Sequence, residues 1–457
     1  MCSIVGIINN IKKPEYDLLQ ASNSMHSRGP DMSNIKGGNN WNIAFNRLSI
    51  HDLSSDAMQP FVYDGVTVYL NGEVFNYLEL IDEHKDEFIP NSKSDVEIVP
   101  FLYTKYGINF LDKLNGMFAM VIIDNKKDVN YLVRDRFGEK PLYYHHTGND
   151  LFFASEVKAL KYLVDLEVDT INIKANLSCW FLPEPLTLYK NTFSIYPGSY
   201  LEFRGDYINE VRWYKPVIKA CLDSKEEISK KFIKLYQSSI DLRLRSDTPI
   251  GVFLSGGLDS TSIAKFSNEV IGKNLTSFGA DIKYKYEIER NNTDVEIPRK
   301  IAKDLGFEYK TTVIDYDYYN KNIVKIVSHY DEIFMNSGVL VFYSLSRFAL
   351  DNGVKVILTG AAGDELFGGY TWQSGLVKKF NFIFSFFQKI VPYRDIFYEQ
   401  LLYINRKLAT AYKIVSDFKV WHAESLSDFS RYLGSDRKIV EDRLRGNANK
   451  YFKVSES

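Results

Sequence analysis

Apolar residues follow two different rhythms along this chain. From residue 1 to about 205 they come in short β-prone runs separated by turn-forming residues. GMFAMVII (116–123), the turn DNKKD and a second run at 129–134 predict one hairpin. PLYYHH, the turn TGND and LFFASE (141–156) predict another. Residues 94–106 break the pattern, because Val96, Val99 and Tyr103 recur at helical spacing. Neighbouring strands with helices packed outside predict layers of antiparallel sheet and helix.

From about residue 224 the rhythm changes. SKEEISKKFIKLYQSSIDLRL (224–244) is an amphipathic helix, and TPIGVFL (248–254) is a short apolar strand that ends on glycines. The order then runs helix at 262–272, strand at 275–282, helix at 298–307 and strand at 309–315. Strands alternating with helices predict βαβ units and a parallel sheet. The boundary falls near 205–220, giving domains at 2–210 and 220–457. KYKYEIERNNTD (283–294) is expected to be a mobile loop, and no internal repeat is present.

Composition narrows the function classes. A chain of 457 residues with 45% apolar and 25% charged residues has room for two or three domains with real cores. A net charge of −2 gives no reason to expect nucleic acid or an anionic membrane as partner. Cys2, Cys179 and Cys221 suit neither a disulfide framework nor a zinc site. The adjacent His145 and His146 have no ligand-spaced companion and read as strand residues. The start MCSIVGIINNIKK lacks the layout of a secretory signal. The apolar stretch at 380–391 is interrupted by Asn381, Ser385, Gln388 and Lys389 and is too short to span a bilayer. The expected location is the cytoplasm.

Chemistry enters at Cys2. Removing Met1 would place a thiol and a free α-amine on one residue. Such an amine titrates near pH 8 and is able to serve as general base for its own side chain, and a thiol needs only modest activation. Six segments follow in order: MCSIVGI, RGPD (28–31), NRLSIHD (46–52), NGEVFNY (71–77), SKSDVEI (92–98) and DRFGEKPLYY (135–144). Taken singly, Arg47 reads as a surface ion-pair residue, Asn71 and Asp95 as turn or cap residues, and Arg28 and Asp31 as turn scaffold.

The second centre is IGVFLSGGLDS (250–260), a strand, a Ser-Gly-Gly turn and a helix start. The glycines let backbone N–H groups converge on a phosphate, and the helix adds its positive end. It is not the Walker pattern, so simple γ-phosphate transfer is not implied. Far downstream, VKVILTGAAGDELFGGY (354–370) carries a buried strand into another Gly/Ala turn with Asp364 and Glu365. Magnesium–nucleotide chemistry needs hard carboxylate oxygens, and Asp259 with Asp364 is the natural pair. Glu365 reads equally well as a charge at a helix N-terminus.

Together these segments closely resemble the glutamine-hydrolysing asparagine synthetases. The first series is similar to the class II glutamine amidotransferases, and SGGLDS is similar to the pyrophosphate loop of the N-type ATP pyrophosphatases. The resemblance covers about residues 2–375. It implies an N-terminal Ntn-type αββα sandwich of α+β class, followed by an α/β parallel-sheet domain like the adenine-nucleotide α-hydrolases. It implies Cys2 as nucleophile, Asn71 and the Gly72 N–H as oxyanion hole, Arg47 on the glutamine α-carboxylate, and Asp95 with Glu73 on its α-ammonium. Leu254, Ser255, Gly256, Gly257, Asp259, Ser260, Ala280, Thr359 and Gly360 would hold ATP, and Asp259 and Asp364 would hold Mg2+. The implied substrates are glutamine, ATP and aspartate, and a homodimer is a family-based expectation.

Two departures qualify the resemblance. The family pattern S-G-[DE]-G-x-D-E has an acidic third position, where this chain has Ala361. The family's later D-R-[MT]-[ST]-M-A, K-x-x-R and R-x-K-x-G-F segments have no counterpart after Tyr370, so the second domain is expected to be truncated. A related amidotransferase for another carboxylate, a sugar acid or peptide, and a chain with glutaminase activity alone are the alternatives.

Overall fold

The computed structural model describes residues 1–9, 17–148, 150–179, 181–217, 221–272, 275–283, 293–333, 338–367 and 369. Most of the 283–294 segment and everything expected after residue 370 lie outside these residues.

The first 212 residues build two six-stranded antiparallel sheets. One contains β1 (Ser3–Asn9), β2 (Met32–Gly37), β3 (Trp41–Arg47), β8 (Tyr143–Thr147), β9 (Asp150–Ala154) and β10 (Thr192–Ser194), in the order β10-β8-β9-β1-β3-β2. The other contains β4 (Phe61–Tyr63), β5 (Val66–Val74), β6 (Gly116–Asp124), β7 (Val129–Arg134), β11 (Ser199–Arg204) and β12 (Tyr207–Arg212), in the order β12-β11-β7-β6-β5-β4.

Between the sheets lies a core that includes Ile4, Ile43, Phe45, Tyr69, Val121 and Phe153. On the outer face of the β5–β6 sheet, Val99, Leu102 and Tyr103 pack with Leu70, Met120 and Val133. On the outer face of the other sheet, Leu18 and Leu160 pack with Val5 and Phe152. Central strands are therefore buried on both faces, and β7 is buried at every position. The layers are helix, sheet, sheet, helix, as an αββα sandwich requires.

From residue 250 the sheet is parallel. It contains β13 (Ile250–Phe253), β14 (Thr276–Ile282), β15 (Glu308–Ile314) and β16 (Val356–Leu358), in the order β15-β14-β13-β16. Val252 pairs with Leu358, so the turns after β13 and β16 emerge side by side at the C-terminal end of the sheet. Helices Leu258–Ile271 and Thr293–Leu305 pack Ala264 and Ala302 against Val252 and Leu254 on one face. Helix Gly338–Asp351 packs Leu345 and Ala349 against Phe278 on the other.

Two helix starts differ from the sequence expectation. The helix expected from residue 94 begins at Val99, with Pro100 in its first turn, where a missing N–H costs nothing. The helix expected from Pro298 begins at Thr293 and carries that proline inside. Its ring falls in the second turn, and a sequence reading that starts helices at prolines puts the boundary too late.

The two halves are tied by named contacts. Asp247 accepts the Asp52 N–H at 2.7 Å and donates its own N–H to the Ile50 carbonyl at 3.0 Å. Arg245 grips the Glu79 carboxylate with both terminal nitrogens, at 2.8 and 2.5 Å. Lys355, just before β16, pairs with Asp31 at 2.8 Å.

Candidate functional site

β1 begins one residue after Cys2, and its pairing with β3 sets the thiol beside Leu48. The Leu48 N–H donates to Cys2 Sγ at 3.3 Å. Arg28 donates through Nε to the Cys2 carbonyl at 3.1 Å and pairs with Glu156 at 3.0 Å. Asp31 accepts the Ser49 N–H at 2.8 Å as well as Lys355. Both RGPD charges therefore act as scaffold. Burial pushes the Cys2 thiol above its usual range, so the sulfur needs a base. With Met1 in place the nitrogen of Cys2 is an amide, and the amine belongs to Met1, where burial pushes it down to about 5.

A cavity of about 320 Å³ opens at the sulfur. Cys2, Arg47, Gly72, Glu73 and Asp95 all line it, so residues spread over 94 positions meet in one place. Asn71 sits on β5 opposite Ala119, fully buried. Among the described residues neither its Nδ2 nor its Oδ1 has a hydrogen-bond partner. An amide with both ends unpaired costs about 1–3 kcal/mol, which a ligand oxygen would relieve. Gly72 has φ +148°, and a Cβ there would lie 1.9 Å from the Met117 carbonyl oxygen. Only glycine fits, which leaves that face of the strand open.

Asp95 is buried and accepts the Val74 N–H at 2.7 Å; burial pushes its carboxyl up to about 6. Glu73 is raised by burial and by Asp95, with His51 Nε2 at 4.0 Å. A cationic ammonium is the natural ligand of two such carboxylates. Below about pH 6 Asp95 is protonated and that attraction fails. Glutamine affinity, measured by calorimetry on the Cys2→Ala protein, is therefore expected to weaken about tenfold per unit as the pH falls below about 6. The Asp95→Asn variant should bind weakly at every pH.

Arg47 differs from the expected picture in one respect. Its Nη1 donates to the Ser54 carbonyl at 2.7 Å, and its Nη2 donates to the carbonyls of His51, at 3.1 Å, and Asp52. The guanidinium lines the cavity while clamping the 51–54 loop, so a bound carboxylate would have to share it. The sequence reading assigned no role to several other lining residues, among them His51, Lys140 and the segment Lys355, Val356 and Ile357. His51 and Lys140 lie within motifs already noted, whereas the last three lie at the start of β16 in the parallel-sheet half and carry no local signal.

The second centre forms where β13 and β16 end. Gly256 takes φ +83°, and Gly257 caps helix Leu258–Ile271. Ser255 Oγ and Ser260 Oγ lie 3.0 Å apart and brace the loop, while Leu254 is buried beneath it. The Leu254 N–H donates to the Phe278 carbonyl at 2.9 Å, which sets the loop beside the strand leading to Ala280. The Asp259 carboxylate lies against the second turn: a Cβ on Gly363 would meet its Oδ2 at 2.4 Å, and one on Gly360 would meet its Cβ at 3.0 Å. Thr359 Oγ1 accepts the Ala361 N–H at 3.4 Å within that turn. Asp364 follows directly in helix Gly363–Phe367, with its carboxylate against Gly369. No group of three metal-ligating side chains occurs among the described residues.

Ala362 occupies the left-handed region at φ +74°, at the position where the family pattern has glycine. It is a further departure from that pattern, next to Ala361. Left-handed backbone costs a side-chain-bearing residue about 1–2 kcal/mol. Ala362→Gly is expected to raise the thermal midpoint by about 2 °C, after the extra freedom glycine gains in the unfolded chain is subtracted.

Comparisons with known proteins agree with this division of labour. Residues 1–214 match the family model for a glutamine amidotransferase domain, and residues 231–437 match that for asparagine synthase. Asparagine synthetase (glutamine-hydrolysing) 1 of Bacillus subtilis is 32% identical over 81% of this chain and 59% of its own length. Putative asparagine synthetase (glutamine-hydrolysing) 2 of Methanocaldococcus jannaschii is also 32% identical, over 81% of this chain and 76% of its own length. The chain thus spans about three-fifths of the Bacillus relative. Among solved structures, the allosteric regulatory enzyme of purine biosynthesis superposes loosely, with a TM-score of 0.38 and 13% identity over 78% of this chain and 89% of that one.

Proposed function

The chain belongs to the glutamine-hydrolysing asparagine synthetase family, and from that premise we propose that it transfers ammonia from glutamine to a carboxylate at the expense of ATP, with aspartate as acceptor. The observation that carries the reading is the shared wall. The cavity at Cys2 is closed on one side by Lys355, Val356 and Ile357, residues that lead directly into the Thr359–Gly360 turn.

In the amidotransferase half, 2–210, Met1 is removed and the amine of Cys2 takes the thiol proton. The sulfur attacks the glutamine side-chain carbonyl, while the unpaired Asn71 amide and the Gly72 N–H donate to the oxyanion. The intermediate collapses with proton transfer to nitrogen, releasing ammonia, and water cleaves the thioester to glutamate. Asp95 and Glu73 hold the α-ammonium, and Arg47 holds the α-carboxylate.

In the synthetase half, 220–457, the backbone of Ser255, Gly256 and Gly257 cradles the ATP phosphates, with Ser260 at the helix start. Leu254, Ala280, Thr359 and Gly360 frame the nucleoside. The acceptor carboxylate attacks the α-phosphorus, pyrophosphate leaves, and ammonia displaces AMP from the acyl-adenylate. Asp259 lies against the turn that leads into Asp364, and hard carboxylates beside a phosphate loop are of the kind that suits Mg2+. Asp259 and Asp364 would hold it, and it would neutralise charge on the phosphates. No helix among the described residues is long and apolar enough to cross a membrane, and the substrates are those of a cytoplasmic enzyme.

The deciding experiment follows pyrophosphate and glutamate together, with ATP, magnesium and glutamine, with and without aspartate. Aspartate-dependent pyrophosphate matched by glutamate supports the synthetase. Glutamate without pyrophosphate would sink it for this chain and leave a glutaminase or a different acceptor carboxylate.

A further inference from the structure

Lys140 is a cation that the reaction above does not use. It is 6% exposed, lines the Cys2 cavity and follows Glu139 in the loop after β7. Its ammonium donates to Met1 Sδ at 3.2 Å, and among the described residues no carboxylate forms an ion pair with it. A thioether is a weak acceptor, so a strongly hydrated group has been taken out of water for little local return. That arrangement calls for a use at this spot.

Its backbone is fixed, so the side chain is aimed rather than loose. The Lys140 N–H donates to Asp135 Oδ2 at 3.0 Å, and its carbonyl accepts Arg134 Nε at 2.9 Å. Burial pulls the Lys140 ammonium below its usual range; of the charged groups that act on it, Glu73, Glu139 and Asp135 favour the ammonium and Arg28 opposes it. The N-terminal amine feels Lys140 and Arg28 on one side and Glu73 on the other. The sulfur feels Asp95 and Arg47 besides the amine.

We propose that Lys140 is a positioning residue for glutamine hydrolysis: its buried ammonium sits at the amino terminus, so that the amine of residue 2 stays a free base able to take the thiol proton. The inference rests on the glutaminase reading above. Loss of Met1 removes the thioether and leaves the ammonium beside the new terminus. Proton traffic runs between thiol, amine and leaving nitrogen, and Lys140 keeps its own protons throughout. A nearby positive charge disfavours a second one on the amine and favours the thiolate.

The test compares the wild-type chain with Lys140→Met, which keeps the length without the charge, and with Lys140→Arg. Glutaminase kcat/KM is followed against pH, together with the rate at which a diazoketone analogue of glutamine labels Cys2, read from the mass of the N-terminal peptide. Lys140→Met is expected to move the acidic limb of both profiles up by about one pH unit, with about a tenfold loss on that limb and a smaller loss near neutrality. Lys140→Arg should restore both. Glutamine affinity in the Cys2→Ala background should stay unchanged. A Lys140→Met protein whose rate falls uniformly at every pH, with both limbs in place, would overturn the proposal and leave Lys140 a packing residue. If that variant is insoluble, Lys140→Gln is read in its place. A wild-type chain, processed to Cys2, that releases no Cys2-dependent glutamate would overturn the glutaminase reading and this inference together.

Discussion

Replacing Cys2 by alanine is expected to abolish glutamate release, by about 10⁴- to 10⁶-fold, while leaving ammonia-dependent pyrophosphate release intact. The size of the loss follows from the chemistry of the cavity. Cys2 carries both the nucleophile and, after processing, the base, and among the described residues His51 is the one histidine that lines the cavity. His51 is the ring nearest the site, and its ring lies 5.6 Å from that of Tyr77, with Glu73 at 4.0 Å. Alanine at position 2 leaves the backbone contact from Arg28 in place, so the sheet should be undisturbed. The assay supplies ammonium chloride in place of glutamine and follows both products. Loss of the ammonia-dependent reaction as well would mean that the thiol supports folding, and its assignment as nucleophile would fail.

Gly72→Ala should be the most destructive single-methyl change in the molecule. The added carbon would overlap the Met117 carbonyl oxygen at 1.9 Å and the Phe118 Cα at 2.7 Å, both backbone atoms of β6, which cannot move without breaking the pairing with β5. Backbone strain at φ +148° and forced displacement of the partner strand together cost about 2–6 kcal/mol. The expected result is a chain that is largely insoluble, or one whose amidotransferase half melts well below the wild type. Gly65→Ala makes a fair comparison. It too has positive φ, at +82°, but its nearest neighbour is the flexible Lys126 side chain at 3.4 Å. It should lose only about 1 kcal/mol. Equal losses for the two variants would show that conformation alone, and not the approach of β6, governs Gly72.

Much of this was legible in the chain because the signals are local. The 116–134 hairpin, the apolar strand before SGGLDS and the alternation after residue 224 all follow from runs of a few residues, and each appears as an element. Cys2, Gly72 and Asp95 were legible as a group only through the order of their motifs, and the cavity is where they converge. What escaped depends on backbone conformation and burial, which residue types alone do not announce. Nothing near Arg47 announces that the carbonyls of 51–54 fold back onto its guanidinium. Nothing in TGAAGDE announces that Ala362 takes a left-handed conformation, since alanine is a poor residue for it. The orphaned amide of Asn71 became visible only once a whole strand had buried it.

The position of β16 has a consequence for modularity. Among the described residues it is the edge strand of the parallel sheet, yet residues at its start line the cavity at Cys2. From Lys355 to Thr359 the chain advances four residues, about 13 Å at strand rise. On the proposed reading, ammonia freed at the sulfur would be released against the backbone that leads to the turn after β16. The same economy makes the halves hard to separate. Separating the chain after β12, which ends at Arg212, would take away one wall of the cavity at Cys2. A lone amidotransferase fragment would spill its ammonia into solvent from a cavity open at the rear.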